Sequence, residues 1–171
     1  MNEVLPVEAI RQKVIQAWHQ GGCIVSAPPG SGKTTRIPLW LLEQSERPIY
    51  LLIPKRIAVK LAAEQLARNL GETVGQRVGY RLRNDSKTGA GTQIIVTTYG
   101  SFLRLLLNEP DQLAHSTIIL DEFHERSVDQ DLVYALVNQY HDGLDDSVRR
   151  VIMSATLDIA RVAEQLSLPV I

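Results

Sequence analysis

The chain has 171 residues, of which 44% are apolar and 22% charged, with 11 Gly, 8 Pro and a single Cys. That is the composition of one soluble globular domain able to bury a core; it excludes a disordered chain, and no run approaches the ~20 apolar residues of a membrane span. Cys23 alone makes neither a disulfide framework nor a thiolate zinc site, and charges at Glu3, Glu8, Arg11 and Lys13 argue against a secretory signal, so a cytoplasmic location and no membrane partner are expected. The net charge of −1 hides an asymmetry, since residues 33–104 hold 12 bases against 5 acids and residues 105–171 hold 4 against 12. A polyanion partner for one face and two merely different solvated faces are both compatible with that division.

In chain order, the spacing of Ile10, Val14, Ala17 and Trp18 predicts a helix over Val7–Gln20, closed by Gly21-Gly22. Residues 23–26 read as a buried strand, Lys33–Gln44 as a helix, Ile49–Ile53 as a second buried strand and Arg56–Leu70 as a long helix. Val74–Arg83 reads as a strand containing Gly79, and Asp85–Gly91 as a turn-rich loop. Strands over 93–97, 116–120 and 150–153 then alternate with helices over 101–107, 128–139 and 158–166. Short apolar strands separated by helices predict an α/β fold with a mostly parallel sheet covered on both faces, whose ligands sit at the carboxyl ends of the strands.

Two motifs fall at such ends. Ala27-Pro28-Pro29-Gly30-Ser31-Gly32-Lys33-Thr34 follows the first strand and opens a helix, the context of a Walker A loop. Inward backbone N–H groups and the positive helix end suit phosphate; Lys33 would reach the β- and γ-phosphates of ATP, and the Thr34 hydroxyl would ligate Mg²⁺. The apolar strand ending in Leu120 runs into Asp121-Glu122-Phe123-His124, as in a Walker B site. Asp121 suits a hard cation, and Glu122 is placed to orient and deprotonate an attacking water. His124 has no second His or Cys nearby and is not expected to be a metal ligand on its own.

Three matches in order, the Lys33 loop, Asp121-Glu122-Phe123-His124 and Ser154-Ala155-Thr156, resemble the first RecA-like domain of a superfamily 2 helicase of the DEAH/RHA group. Pro54-Lys55-Arg56-Ile57-Ala58, Val78-Gly79-Tyr80-Arg81-Leu82-Arg83, Thr98 with Gly100, and His124-Glu125-Arg126-Ser127 resemble further motifs of that group. Phe123 with Ile152-Met153-Ser154-Ala155-Thr156-Leu157-Asp158 is similar to the bacterial HrpB-type helicases. The resemblance implies a three-layer αβα P-loop NTPase fold over residues 1–171 and an ATP-dependent helicase acting on single-stranded nucleic acid, with RNA favoured over DNA but the residues themselves not choosing between the two. It implies that Gly30, Ser31, Gly32, Lys33, Thr34 and Thr35 bind the triphosphate within the loop that Ala27, Pro28 and Pro29 begin. It also implies that Thr34, Asp121 and Glu122 serve Mg²⁺ and the hydrolytic water, and that His124, Ser154 and Thr156 couple nucleotide state to nucleic acid. Arg56 and Thr98 would touch the sugar-phosphate backbone, with Arg81 and Arg83 as further candidates.

Departures from the pattern stand at Lys55, for an Arg, at Tyr99, for an acidic residue, and at Gln65, for an Arg that stacks on adenine. The family's second RecA-like domain, with its arginine fingers, has no counterpart in the chain, so slow isolated turnover is expected. A P-loop NTPase unrelated to nucleic acid fits the two Walker motifs but not Arg56, Thr98 or Ser154-Ala155-Thr156. A nucleotide-gated RNA-binding module without turnover fits them all.

Overall fold

The computed structural model describes residues 5–143, 147–155 and 167–171. Among these residues there are seven strands, β1 (Gly22–Ser26), β2 (Ile49–Ile53), β3 (Val78–Leu82), β4 (Asp85–Lys87), β5 (Ile94–Thr98), β6 (Thr117–Leu120) and β7 (Arg149–Ser154). They form one sheet in the order β1-β7-β6-β2-β5-β3-β4, parallel throughout except for the β3–β4 hairpin. The helices are α1 (Arg11–His19), α2 (Lys33–Leu42), α3 (Arg56–Asn69), α4 (Tyr99–Asn108) and α5 (Val128–Gly143).

The reason the strands read as unbroken apolar runs is visible in β2. Ile49, Leu51 and Ile53 point into a core shared with α1, α2 and α3, whereas Tyr50 and Leu52 point into a second core shared with α4 and α5. Alternate residues thus serve opposite faces, and both faces are dry. Ile119 and its neighbours Ile118 and Leu120 divide in the same way in β6. Each such side chain, fully buried, contributes roughly 1.5–3 kcal/mol.

Register brings the strand ends to one edge. Ser26 pairs with Ser154, Leu120 with Ile152, Leu52 with Leu120, and Ile53 with Thr98. Ala27, Pro54, Tyr99, Asp121 and Ala155 therefore all leave the sheet side by side. At the outer edge of β1 the backbone of residues 169–171 adds a further short pairing: the Ile24 N–H donates to the Pro169 carbonyl at 2.9 Å, and the Ile171 N–H donates to the Ile24 carbonyl at 2.8 Å.

Most elements match the sequence reading to within a residue or two, α5 runs four residues further, to Gly143, and four others differ for a visible reason. The first helix is a 3-10 turn over Pro6–Ile10 followed by α1, because the Val7 N–H donates to the Ser31 carbonyl at 3.2 Å and ties this segment to the Lys33 loop. Helix α4 begins at Tyr99 rather than at residue 101, because the Thr98 hydroxyl caps it by accepting from the Ser101 N–H at 3.3 Å. β3 starts only at Val78, and Asp85–Lys87, read as loop, forms the antiparallel edge strand β4. The helix expected over 158–166 lies outside the described residues. None of the helices among the described residues is long and apolar enough to cross a membrane.

The indole N–H of Trp18 on α1 donates to the Thr117 hydroxyl on β6 at 3.1 Å, both groups being buried. Thr117→Val preserves shape but leaves that N–H without an acceptor, which costs about 1–3 kcal/mol. Urea titration followed by tryptophan emission should show this loss, and Thr117→Ser should restore much of it.

Candidate nucleotide site and the basic cleft beside it

Gly30 and Gly32 take φ values of 75° and 96°, a left-handed geometry that lets the loop after β1 double back before α2 begins at Lys33. Among the described residues, no hydrogen bond uses the backbone N–H of Gly30, Gly32, Lys33 or Thr34. The Ser31 hydroxyl is also buried without a partner. A set of unpaired donors at a helix N-terminus is complementary to an anion. Pro28, Pro29 and Gly30 are exposed, so this cradle opens to solvent.

The Lys33 ammonium folds back onto the loop, donating to the Ala27 carbonyl and, at 3.0 Å, to the Pro28 carbonyl. The residue is only 5% exposed. Burial lowers its pKa, while the negative charges of Asp121 and Glu122 pull it back up. Asp121 is 1% exposed, and burial pushes its carboxyl up to about 6. The Glu122 charge adds to that rise; hydrogen bonds from Thr34 and the Glu122 N–H, and the Lys33 charge, oppose it. The Thr34 hydroxyl donates to Asp121 Oδ2 at 2.6 Å, and the Glu122 N–H donates to Oδ1 at 2.8 Å. With its proton committed to Asp121, the Thr34 hydroxyl keeps its lone pairs for a further ligand. Beside them, Lys55, Asp121, Glu122 and Glu125 help line a hollow of about 230 Å³. A hydroxyl and two carboxylates around such a hollow form an oxygen donor set that fits a hard divalent cation.

Glu122 sits at φ 51°, ψ 42°, an unusual conformation for a residue with a Cβ. It turns the chain sharply off the end of β6, so that adjacent acids which would point apart in a strand lie near one site. His124 Nε2 lies 3.4 Å from Glu122 Oε2, and its Nδ1 accepts from the Ala155 N–H at 3.4 Å. Because Nδ1 accepts, the neutral ring carries its proton on Nε2, facing Glu122. One imidazole thus joins the end of β6 to the end of β7. Ser154 is buried at the end of β7, and Thr156 lies outside the described residues.

On the other side of β2 the same edge opens into a polar cleft of about 460 Å³. Arg56 from the start of α3, Arg83 from the β3–β4 turn and Arg104 from α4 converge on it, with Thr98, Ser127 and Asp129. Thr98 contributes to the wall, but its hydroxyl is spent on the α4 cap and on the Ser101 hydroxyl at 3.0 Å. Lys55 pairs instead with Glu125 at 2.9 Å, at the border between hollow and cleft. Arg81 is half-buried and does not line the cleft. Arg104 went unread in the sequence because it lies in no motif; only the position of α4 brings it in. Tyr99 is buried, and its hydroxyl donates to the Asp121 carbonyl at 2.7 Å. It braces the carbonyl next to the buried carboxylate without adding a third acid.

The family model described as DEAD/DEAH box helicase matches residues 8–165. The chain belongs to the DEAD/DEAH box helicase family. Among helicases of this family, it is 39% identical over 165 residues to the ATP-dependent RNA helicase HrpB of Escherichia coli (strain K12), a match covering 95% of this chain and 20% of that protein. It is 35% identical over 159 residues to the DExH-box ATP-dependent RNA helicase DExH8 of Arabidopsis thaliana, covering 92% of this chain and 16% of that one. The crystal structure of the E. coli DExH-box NTPase HrpB superposes with a TM-score of 0.94 at 38% identity, covering 100% of this chain and 22% of that chain. The chain therefore spans about a fifth of the length of these helicases, and the parallel sheet with flanking helices is the RecA-like fold of the family.

The buried carboxylate has a measurable cost. The folded-state pKa of Asp121, about 6, exceeds the ordinary 3.8, so the stability it contributes is complete below pH 3.8 and is lost as pH rises through 6. Two pKa units correspond to about 3 kcal/mol at neutral pH. Metal-free Asp121→Asn should therefore be more stable than the parent chain by roughly 1–3 kcal/mol at pH 7. Urea titrations across this range should show the difference growing between pH 4 and 6.5 and level thereafter.

Proposed function

We propose that this chain is the ATP-binding and ATP-hydrolysing RecA-like domain of an ATP-dependent nucleic-acid helicase. The observation that carries the reading is the pairing of the donor cradle of Gly30, Gly32, Lys33 and Thr34 with the Thr34–Asp121 contact at one strand edge. In this reading Gly30, Ser31, Gly32, Lys33, Thr34 and Thr35 hold the triphosphate, on the loop begun by Ala27, Pro28 and Pro29. The Lys33 ammonium exchanges its carbonyl acceptors for phosphate oxygens. Thr34, Asp121 and Glu122 hold Mg²⁺, whose chemistry is to neutralise charge on the β- and γ-phosphates. Glu122 accepts a proton from the attacking water. His124, with Ser154 and Thr156, passes the state of that site to the neighbouring strand end.

The polar cleft takes the sugar-phosphate backbone of a single strand, with Arg56 as its principal contact and Thr98 in the wall. RNA is preferred to DNA as the partner because the relatives are named RNA helicases. A second RecA-like domain would face the exposed loop and supply the remaining charge stabilisation, so hydrolysis by this chain alone is slow. The cytoplasm is the proposed location.

Mg-ATP should raise the thermal stability of the chain, since a ligand at a hundredfold excess over Kd adds about 2.7 kcal/mol to the native state. Lys33→Ala should abolish that shift, and an undiminished shift in the variant would contradict the assignment. Turnover should stay well below ~1 s⁻¹, and a faster rate that vanishes in Glu122→Gln would contradict the incomplete site. For single-stranded RNA, the log–log salt slope should be shallow, roughly 2, and fall by less than one unit in Arg56→Ala. Titrations of two unrelated oligonucleotides at several salt concentrations check this.

A further inference from the structure

We propose that Lys60, Tyr80 and Asp85 form a clamp that positions Arg83 in the basic cleft, and that Asp85, although acidic, is a positioning residue for binding an anionic strand. The inference rests on the reading of that cleft as a nucleic-acid track.

The β3–β4 hairpin is poorly held by its own backbone. Leu82 pairs with Asp85, which leaves Arg83 and Asn84 as a two-residue turn. Such turns match the twist of their strands when φ is positive, yet neither Arg83 nor Asn84 has a positive φ. β4 is three polar residues long, lies at the sheet edge, and is exposed along its whole length, so it buries no apolar surface of its own. An element of this kind belongs to the low end of local stability. Nevertheless its turn carries one of the three arginines that converge on the cleft.

Side chains from outside the turn hold it instead. Lys60 on α3 reaches Asp85 Oδ2 at 2.5 Å, and the Tyr80 hydroxyl donates to Oδ1 at 3.0 Å. The Lys60 ammonium also lies 5.4 Å from the centre of the Tyr80 ring. Both carboxylate oxygens are thereby used, one from a helix and one from the adjacent strand. The hydrogen bond from Lys60 holds Asp85 below the ordinary carboxylate range, so the contact persists at neutral pH. Farther along the hairpin, a Cβ at Gly79 would come within 2.5 Å of the Lys87 carbonyl, so the absent side chain lets β4 lie close against β3. Lys60 follows Arg56 by one turn of α3, which places both on neighbouring parts of one helix face. The helix that presents Arg56 to the cleft thus also anchors the hairpin that presents Arg83.

Charge alone and positioning predict opposite signs for one variant. Removing the Asp85 carboxylate makes the surface more positive, so bulk electrostatics predicts tighter binding of a polyanion. Loss of the clamp predicts weaker binding. The experiment measures affinity of the 171-residue chain for a fluorescently labelled single-stranded oligouridylate in 0.1 M salt, for Arg56→Ala, Arg83→Ala, Asp85→Asn and the Arg83→Ala/Asp85→Asn double variant, with thermal unfolding to confirm that each is folded. Loss of one phosphate contact removes about 0.7 from the salt slope, or about fivefold in affinity at this salt. Arg83→Ala should show a loss of that size, Asp85→Asn a loss of about two- to fivefold in the same direction, and the double variant no more than Arg83→Ala alone. Lys60→Arg, which keeps the ion pair, should bind as the parent does. Tighter or unchanged binding by Asp85→Asn, or losses that multiply in the double variant, overturn the clamp while leaving the cleft as the track. If Arg83→Ala binds normally while Arg56→Ala is weakened, the clamp is overturned and the track stands. If neither arginine matters, both are overturned.

Discussion

Two opposite charges, Lys33 and Asp121, are buried where a dry parallel sheet ends, and the rest of the architecture follows from keeping them there. Apolar packing on both faces of β1, β2 and β6 makes the strand ends a low-dielectric rim. Burial weakens the charged form of both groups, and each supports the other's charge only in part. At Asp121 the hydrogen bonds from Thr34 and the Glu122 N–H supply more of the compensation than the Lys33 charge does, and the Lys33 ammonium is also hydrogen-bonded, to the Ala27 and Pro28 carbonyls. A site with a desolvated cation, a desolvated carboxylate and unpaired amide donors is stabilised further by a ligand that brings negative and divalent positive charge together. Magnesium triphosphate has that composition.

The strain at Glu122 gives this rim its second property. A left-handed residue after β6 carries the chain toward His124, whose two ring nitrogens face Glu122 and the Ala155 amide. The Lys55–Glu125 ion pair makes a parallel connection from the end of β2. Any movement of the Glu122 carboxylate therefore acts on contacts that reach the neighbouring strand ends, one of which opens into the arginine-lined cleft. Both proposed ligands meet the same row of loops because register leaves the protein one continuous carboxyl edge.

The sheet and the loop geometry of the candidate nucleotide site were legible in the sequence because each rests on local chemistry. An apolar run such as Ile49–Ile53 has few outcomes other than a buried strand, and its bounds in the structure are the same. Gly30-Ser31-Gly32-Lys33 before an amphipathic helix specifies its own geometry. What stayed hidden depends on partners distant in sequence. β4 is all polar and exists through pairing with β3, so nothing in Asp85-Ser86-Lys87 alone announces a strand. The 3-10 start of the first helix reflects a hydrogen bond to Ser31, and the early start of α4 reflects a cap whose strength depends on how Thr98 leaves β5. Arg104 joins Arg56 and Arg83 only after α4 has docked on the sheet.

The proposed function requires a metal-nucleotide complex seated between the Lys33 loop and Asp121. A crystal structure of the chain with Mn²⁺ and a non-hydrolysable ATP analogue, read by the anomalous signal of manganese, tests it most directly. The predicted result is one manganese peak within about 2.2 Å of Thr34 Oγ1, beside Asp121, with the Lys33 ammonium moved from the Ala27 and Pro28 carbonyls to phosphate oxygens. A nucleotide bound elsewhere, or one bound in the loop while Lys33 keeps its carbonyl partners and no metal lies at Thr34, would contradict it.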